Sequence, residues 1–164
     1  MSVTHTCEQA VEWLRQQPDR GAFVRHCYYY DPLEAAAERF YRSEEWDAVA
    51  ELLGPALSGK VLDIGAGRGI SSYAFARLNC LVTALEPYPS KVVGSDAIRS
   101  LARKADLPIE VVQASGEAIS PASRVRPQFR ENRRSLSFLS LQQSRASLFI
   151  FRGKAVNRGC RLLA

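Results

Sequence analysis

The 164 residues carry 46% hydrophobic side chains, enough for one domain with a real core. No apolar run approaches the roughly 18 residues of a membrane span, no signal-peptide core opens the chain, and Cys7, Cys27, Cys80 and Cys160 are too scattered for a zinc or dithiol motif. The net charge of +5 is divided unevenly: residues 1–119 hold 12 Lys and Arg against 16 Asp and Glu, whereas residues 120–164 hold 10 Lys and Arg against Glu131 alone.

These features read as a cytoplasmic protein with free thiols. Residues 5–17 place Cys7, Ala10, Val11 and Leu14 on one face at helical spacing, and Pro18 ends the run. After Tyr28, Tyr29 and Tyr30, Asp31 is suited to cap, and Pro32 to open, a helix reaching about Tyr41. A third helix starts at Ser43 as N-cap, carries Glu44 and Glu45 in its first turn, and buries Trp46, Val49, Ala50, Leu52 and Leu53. Gly54-Pro55 or Ser58-Gly59 closes it. The three tyrosines read either as the lining of a substrate mouth or as helix packing, and packing is favoured because aromatic clusters usually sit in cores. Arg42 reads as a surface charge rather than a substrate clamp.

The stretch from Val61 to Gly69 carries the chemistry. Val61, Leu62 and Ile64 have the apolar character of a parallel strand covered on both faces. Gly65, Gly67 and Gly69 then make a turn that a ligand can approach closely, and Ile70 to Leu78 continues at helical spacing. The turn therefore lies at a helix N-terminus, where free N–H groups suit a nucleoside cofactor. The spacing is G-x-G-x-G, one residue short of the dinucleotide fingerprint G-x-G-x-x-G, which disfavours an NAD-linked oxidoreductase. Asp63 interrupts the apolar strand, and a buried carboxylate needs a partner such as a ligand's amino group.

Leu81 to Leu85 reads as a second buried strand ending in Glu86, 21 residues after Gly65, where such sheets hold a ribose through its two hydroxyls. A helix over residues 90–104 and a third strand over 107–113 complete a βαβαβ unit.

From Lys60 to Ile119 these residues resemble the class I S-adenosylmethionine-dependent methyltransferases. Residues 61–69 are similar to the family's first motif, Leu85-Glu86-Pro87 to its second-strand acid, and residues 111–118 to the segment after its third strand. The resemblance implies an α/β fold, a Rossmann-like methyltransferase sheet of which strands 1 to 3 are clear. It also implies an N-terminal helical cap over residues 1–58 and an S-adenosylmethionine-binding half-domain over residues 59–119. Gly65, Ala66, Gly67 and Gly69 would pass beneath the cofactor's methionine and ribose, Asp63 would help hold the amino acid end, and Glu86 would grip the ribose hydroxyls. Ser115, Gly116 and Glu117 would border the adenine, with Ser115 standing where the family often has an Asp. The implied reaction is direct methyl transfer to an acceptor, expected to be a small molecule. It depends on positioning rather than on a nucleophilic side chain, and neither a catalytic base nor a metal ligand can be named.

After Ser120 the family pattern of an acidic loop and a strand of the form Phe-Asp-x-Ile-Val is replaced by an Arg- and Ser-rich stretch, expected to be irregular. Three readings of residues 120–164 stand. The tail is a basic segment that contacts nucleic acid through phosphates, or it is the product of a shifted reading frame. A one-base shift across Gln128 to Arg134 can yield Ser-Phe-Glu-Lys-Ile-Val-Val, close to the missing strand. In the third reading, Arg158-Gly159-Cys160-Arg161-Leu162-Leu163, similar to a Pro-Gly-Gly-Arg-Leu-Leu turn, keeps the frame and the domain is divergent or truncated. On these grounds the chain is expected to be C-terminally incomplete, with weak cofactor binding or none.

Overall fold

A computed structural model describes residues 6–54, 57, 59–116, 136–141 and 147–152. Helix α1 (Cys7–Gln16) begins with a capping box: the Gln9 N–H donates to Thr6 Oγ1 at 3.2 Å and the Thr6 N–H donates to Gln9 Oε1 at 2.9 Å. A 3-10 turn (Pro18–Arg20) and a short helix α2 (Gly21–His26) follow. The sequence reading missed α2, which at six residues is too short to display a period.

Helix α3 (Leu33–Tyr41) starts two residues after Asp31, and Pro32 holds the N-cap position without a side-chain bond. Asp31 is therefore not the expected cap; its carboxylate is engaged by two arginines instead. Helix α4 (Glu44–Leu53) begins as expected, with Ser43 Oγ accepting from the Trp46 N–H at 3.2 Å and acids in the first turn.

Strands β1 (Lys60–Ile64), β2 (Leu81–Leu85) and β3 (Ile109–Val112) are parallel, with Leu62 opposite Thr83 and Thr83 opposite Glu110. Helices α5 (Ile70–Arg77) and α6 (Ser95–Lys104) make the two crossovers, so this part is an α/β unit compatible with a Rossmann-like fold. Helix α6 starts five residues later than the expected Ser90, because Ser90 Oγ accepts from the Val92 and Val93 N–H groups at 3.0 Å each and holds a turn there. Irregular chain was expected beyond about residue 120. Two strands depart from this: β4 (Leu136–Leu141) pairs antiparallel with β5 (Ser147–Arg152), and β5 lies antiparallel to β1, giving the order β3-β2-β1-β5-β4. Both runs are rich in Leu and Phe, and the second adds Ile150, an apolar content that suits strands.

One core is shared by the sheet and the N-terminal helices. Val61 and Val82 meet Ala74, Phe75 and Ala76 of α5, together with Phe40, Trp46, Val49 and Leu53 from α3 and α4. An aromatic chain runs through it: Tyr28 stands edge-on to Phe40 at 5.4 Å between centroids, Phe40 lies 5.7 Å from Trp46, and Trp46 stands edge-on to Phe75 at 4.9 Å. Ala37, Tyr73 and Leu101 tie α3 to α5 and α6. The Glu38 carboxylate accepts from the Tyr73 hydroxyl at 2.7 Å, from Arg77 at 2.9 Å and from Arg42 at 2.6 Å. Arg42 is thus the surface charge expected of it. Tyr28 packs into the core as the preferred reading held, while the Tyr30 hydroxyl donates to the Ala35 carbonyl at 3.2 Å. Among the described residues, no helix is long and apolar enough to cross a membrane.

Candidate functional site

The chain leaves β1 at Ile64 and folds back over the end of β2. The Gly65 and Ala66 N–H groups both donate to the Leu85 carbonyl, at 2.9 and 3.0 Å, and the Gly69 N–H donates to the Ala66 carbonyl at 2.8 Å. Gly67 has φ +55° and Gly69 φ +81°, both in the left-handed region where an L side chain is strained. The two glycines serve different ends. A Cβ on Gly69 would lie 3.0 Å from Ile98 Cγ2, so its bareness admits α6 against the turn. A Cβ on Gly67 would meet nothing nearer than the Gly65 carbonyl oxygen at 4.0 Å, so its bareness leaves room above the turn.

Glu86 braces this turn. Its Oε2 accepts from the Gly67 N–H at 2.8 Å and its Oε1 from the Tyr88 N–H at 3.1 Å, while its own N–H donates to the Val112 carbonyl at 3.1 Å. The carboxyl ends of β1, β2 and β3 are laced together, and each Glu86 oxygen keeps lone-pair capacity for further donors. Gly116 completes the edge: a Cβ there would lie 2.8 Å from Ile64 Cγ2, so the segment after β3 reaches the point where the turn begins. Ser115, next to it, is partly buried, and Glu117 lies outside the described residues.

Asp63 is fully buried beneath the turn. Its Oδ2 accepts from the Ser71 and Ser72 hydroxyls at 2.8 and 2.6 Å, which ties the first turn of α5 to β1. Its Oδ1 is buried and has no hydrogen-bond partner. Burial raises its pKa above the ordinary carboxylate value; the two serine hydroxyls oppose the rise, and the nearby negative charge of Glu86 adds to it.

Arg68, inside the turn, was not singled out from sequence. Its Nη1 donates to the Tyr28 and Tyr30 carbonyls at 2.7 and 3.2 Å, and its Nη2 donates to Asp31 Oδ1 at 2.6 Å. Asp31 Oδ2 in turn receives Arg15 Nη1 at 2.8 Å, and Arg15 Nε donates to the Tyr29 carbonyl. Burial lowers the Arg68 pKa, and Asp31 beside it acts in the opposite direction. An arginine between two turn glycines was the available signal, but nothing in the sequence says that its partners lie near residue 30. Tyr88 was also missed. It is 64% exposed, two residues beyond Glu86, and its N–H donates to the carboxylate that braces the turn.

The structure thus brings Asp63, Gly65, Ala66, Gly67, Gly69, Glu86, Ser115 and Gly116 to the carboxyl edge of three parallel strands, the place where open α/β sheets bind ligands. Glu86, with lone pairs left on both oxygens, can accept from the hydroxyls of a ligand. Among the described residues, no group of His, Cys, Asp and Glu is placed to hold a metal ion. The chain matches no protein-family model, no curated protein and no solved structure.

Proposed function

We propose that this chain is a cytoplasmic S-adenosylmethionine-dependent methyltransferase domain acting on a small-molecule acceptor. The observation that carries the reading is the bond from the Gly67 N–H to Glu86 Oε2, which sets a carboxylate at the end of one parallel strand against an open glycine turn at the end of its neighbour. Glu86 would hold the two ribose hydroxyls. Residues 65–69 would lie beneath the methionine and ribose, and Gly116, with Ser115 and Glu117, would border the adenine. The buried, unpartnered Asp63 Oδ1 supplies negative potential under the turn, which favours the cofactor's ammonium and sulfonium charges.

When bound, the cofactor supplies an activated methyl group on a sulfonium. The protein's own part is to hold the nucleoside and the acceptor in line and to keep water away, and such positioning is a sufficient source of rate. The helices α1–α4 would form the cover over the acceptor. Titration calorimetry with S-adenosylhomocysteine tests the reading: weak but saturable binding is expected, and binding of NAD in its place would overturn it.

A second reading rests on the charge division, with 10 Lys and Arg against one acid in residues 120–164. As a noncatalytic protein contacting nucleic acid through this segment, the chain would be retained on nucleic acid at low salt and released at high salt. Retention that survives deletion of residues 120–164 would rule this out.

A further inference from the structure

Residues 28–31 present four consecutive acceptors, and two guanidinium groups take all of them. Arg68 binds the carbonyls of Tyr28 and Tyr30 and one carboxylate oxygen of Asp31; Arg15 binds the Tyr29 carbonyl and the other Asp31 oxygen. The burial is asymmetric. The Arg68 side chain is 4% exposed, whereas that of Asp31 is 56% exposed. A buried guanidinium cannot be left without acceptors except at high cost, so the segment 28–31 cannot lift away unless Arg68 follows it. Arg68 in turn sits between Gly67, whose N–H is held by Glu86, and Gly69, which holds the N-cap position of α5. Moving Arg68 therefore disturbs the braced turn.

We propose that Arg68 and Asp31 are positioning residues that latch the strap formed by residues 28–31 onto the glycine turn, so that strap and turn loosen together and cofactor affinity depends on the latch. The affinity half of this rests on the methyltransferase reading above; the coupling half does not. Arg15 serves as the second hold on Asp31, binding the carboxylate oxygen that Arg68 does not take.

Hydrogen exchange of the full chain, with and without S-adenosylhomocysteine, tests both halves. In Asp31→Asn, amides of residues 28–31 and of residues 65–69 should exchange faster together, the ligand should no longer protect the strap, and affinity should fall about tenfold, equivalent to about 1.4 kcal/mol. Asp31→Glu should restore most of the protection, and Arg42→Gln, which removes the exposed 2.6 Å pair with Glu38 at the far end of α3, should leave both segments unchanged. Faster exchange in the strap with an unchanged turn overturns the coupling. Undiminished ligand affinity in Asp31→Asn overturns the dependence of affinity on the latch. If the unaltered chain fails to bind S-adenosylhomocysteine, the methyltransferase reading falls and the exchange data without ligand still decide the latch. Should Asp31→Asn not fold, Arg15→Lys must give the same paired acceleration on a smaller scale, and an unchanged turn in that variant overturns the latch.

Discussion

The Gly67 N–H donates to Glu86 Oε2 across 2.8 Å, joining the turn after β1 to the residue that follows β2. Because the same carboxylate also takes the Tyr88 N–H, Glu86 fixes the turn and the start of the following loop at once. Hydrogen bonds to a charged acceptor contribute about 1.5–3 kcal/mol each. Glu86→Gln, which keeps an acceptor but loses the charge, should weaken S-adenosylhomocysteine binding about tenfold, and Glu86→Ala about a hundredfold. Calorimetric titration gives both values, and equal affinity in the three proteins would remove Glu86 from the site.

Asp63 predicts a pH effect. Its folded pKa is raised by burial, so the folded chain binds this proton more tightly than the unfolded chain. The sign follows: its contribution to stability is fully present below the unfolded carboxylate pKa and is lost as pH rises through the raised folded value. Asp63→Asn removes that slope and should be more stable than the parent at neutral pH, while binding the cationic cofactor less well. Thermal unfolding at a series of pH values shows the slope; a parallel pair of curves would contradict the assignment.

Gly67 and Gly69 should respond differently to alanine. Gly67→Ala incurs chiefly the backbone penalty, about 1–2 kcal/mol, because its Cβ would enter open space. Gly69→Ala adds crowding against Ile98 Cγ2 at 3.0 Å and should be the more destabilising. Combining it with Ile98→Val should recover part of the loss, measured as a coupling in a double-mutant cycle by urea unfolding. Additive effects would show that the crowding is relieved elsewhere. Gly67→Ala, despite the milder fold penalty, should lower ligand affinity by placing a methyl group in the room above the turn.

Trp46 joins the N-terminal helices to the sheet, with Phe40 on one side and Phe75 on the other. Trp46→Ala should cost about 3–5 kcal/mol, and because one core serves helices and sheet, far-UV and near-UV signals should be lost in a single transition. Two separated transitions would mean that the helices fold apart from the strands.

The strands, the glycine turn and Glu86 were legible in sequence because their signals are local. Apolar runs end at glycine or acid, and Leu81–Leu85 has the same bounds in the sequence reading and in the structure. Ser43 was legible as a cap for the same reason. Asp31 was misread because a good N-cap and an ion-pair partner are the same residue type, and only the fold brings Arg15 and Arg68 to it. Ser90 misled in the opposite way, its hydroxyl stabilising a turn where a helix was expected. The late strands escaped because their apolar runs lie inside a strongly basic stretch, whose composition outweighed its pattern.

The most direct measurement is titration calorimetry of the chain with S-adenosylhomocysteine and, separately, with NAD. The account predicts weak one-to-one binding of S-adenosylhomocysteine that Glu86→Ala weakens about a hundredfold, and no saturable heat with NAD. Saturation with NAD, or S-adenosylhomocysteine binding that is indifferent to the loss of Glu86, would contradict it.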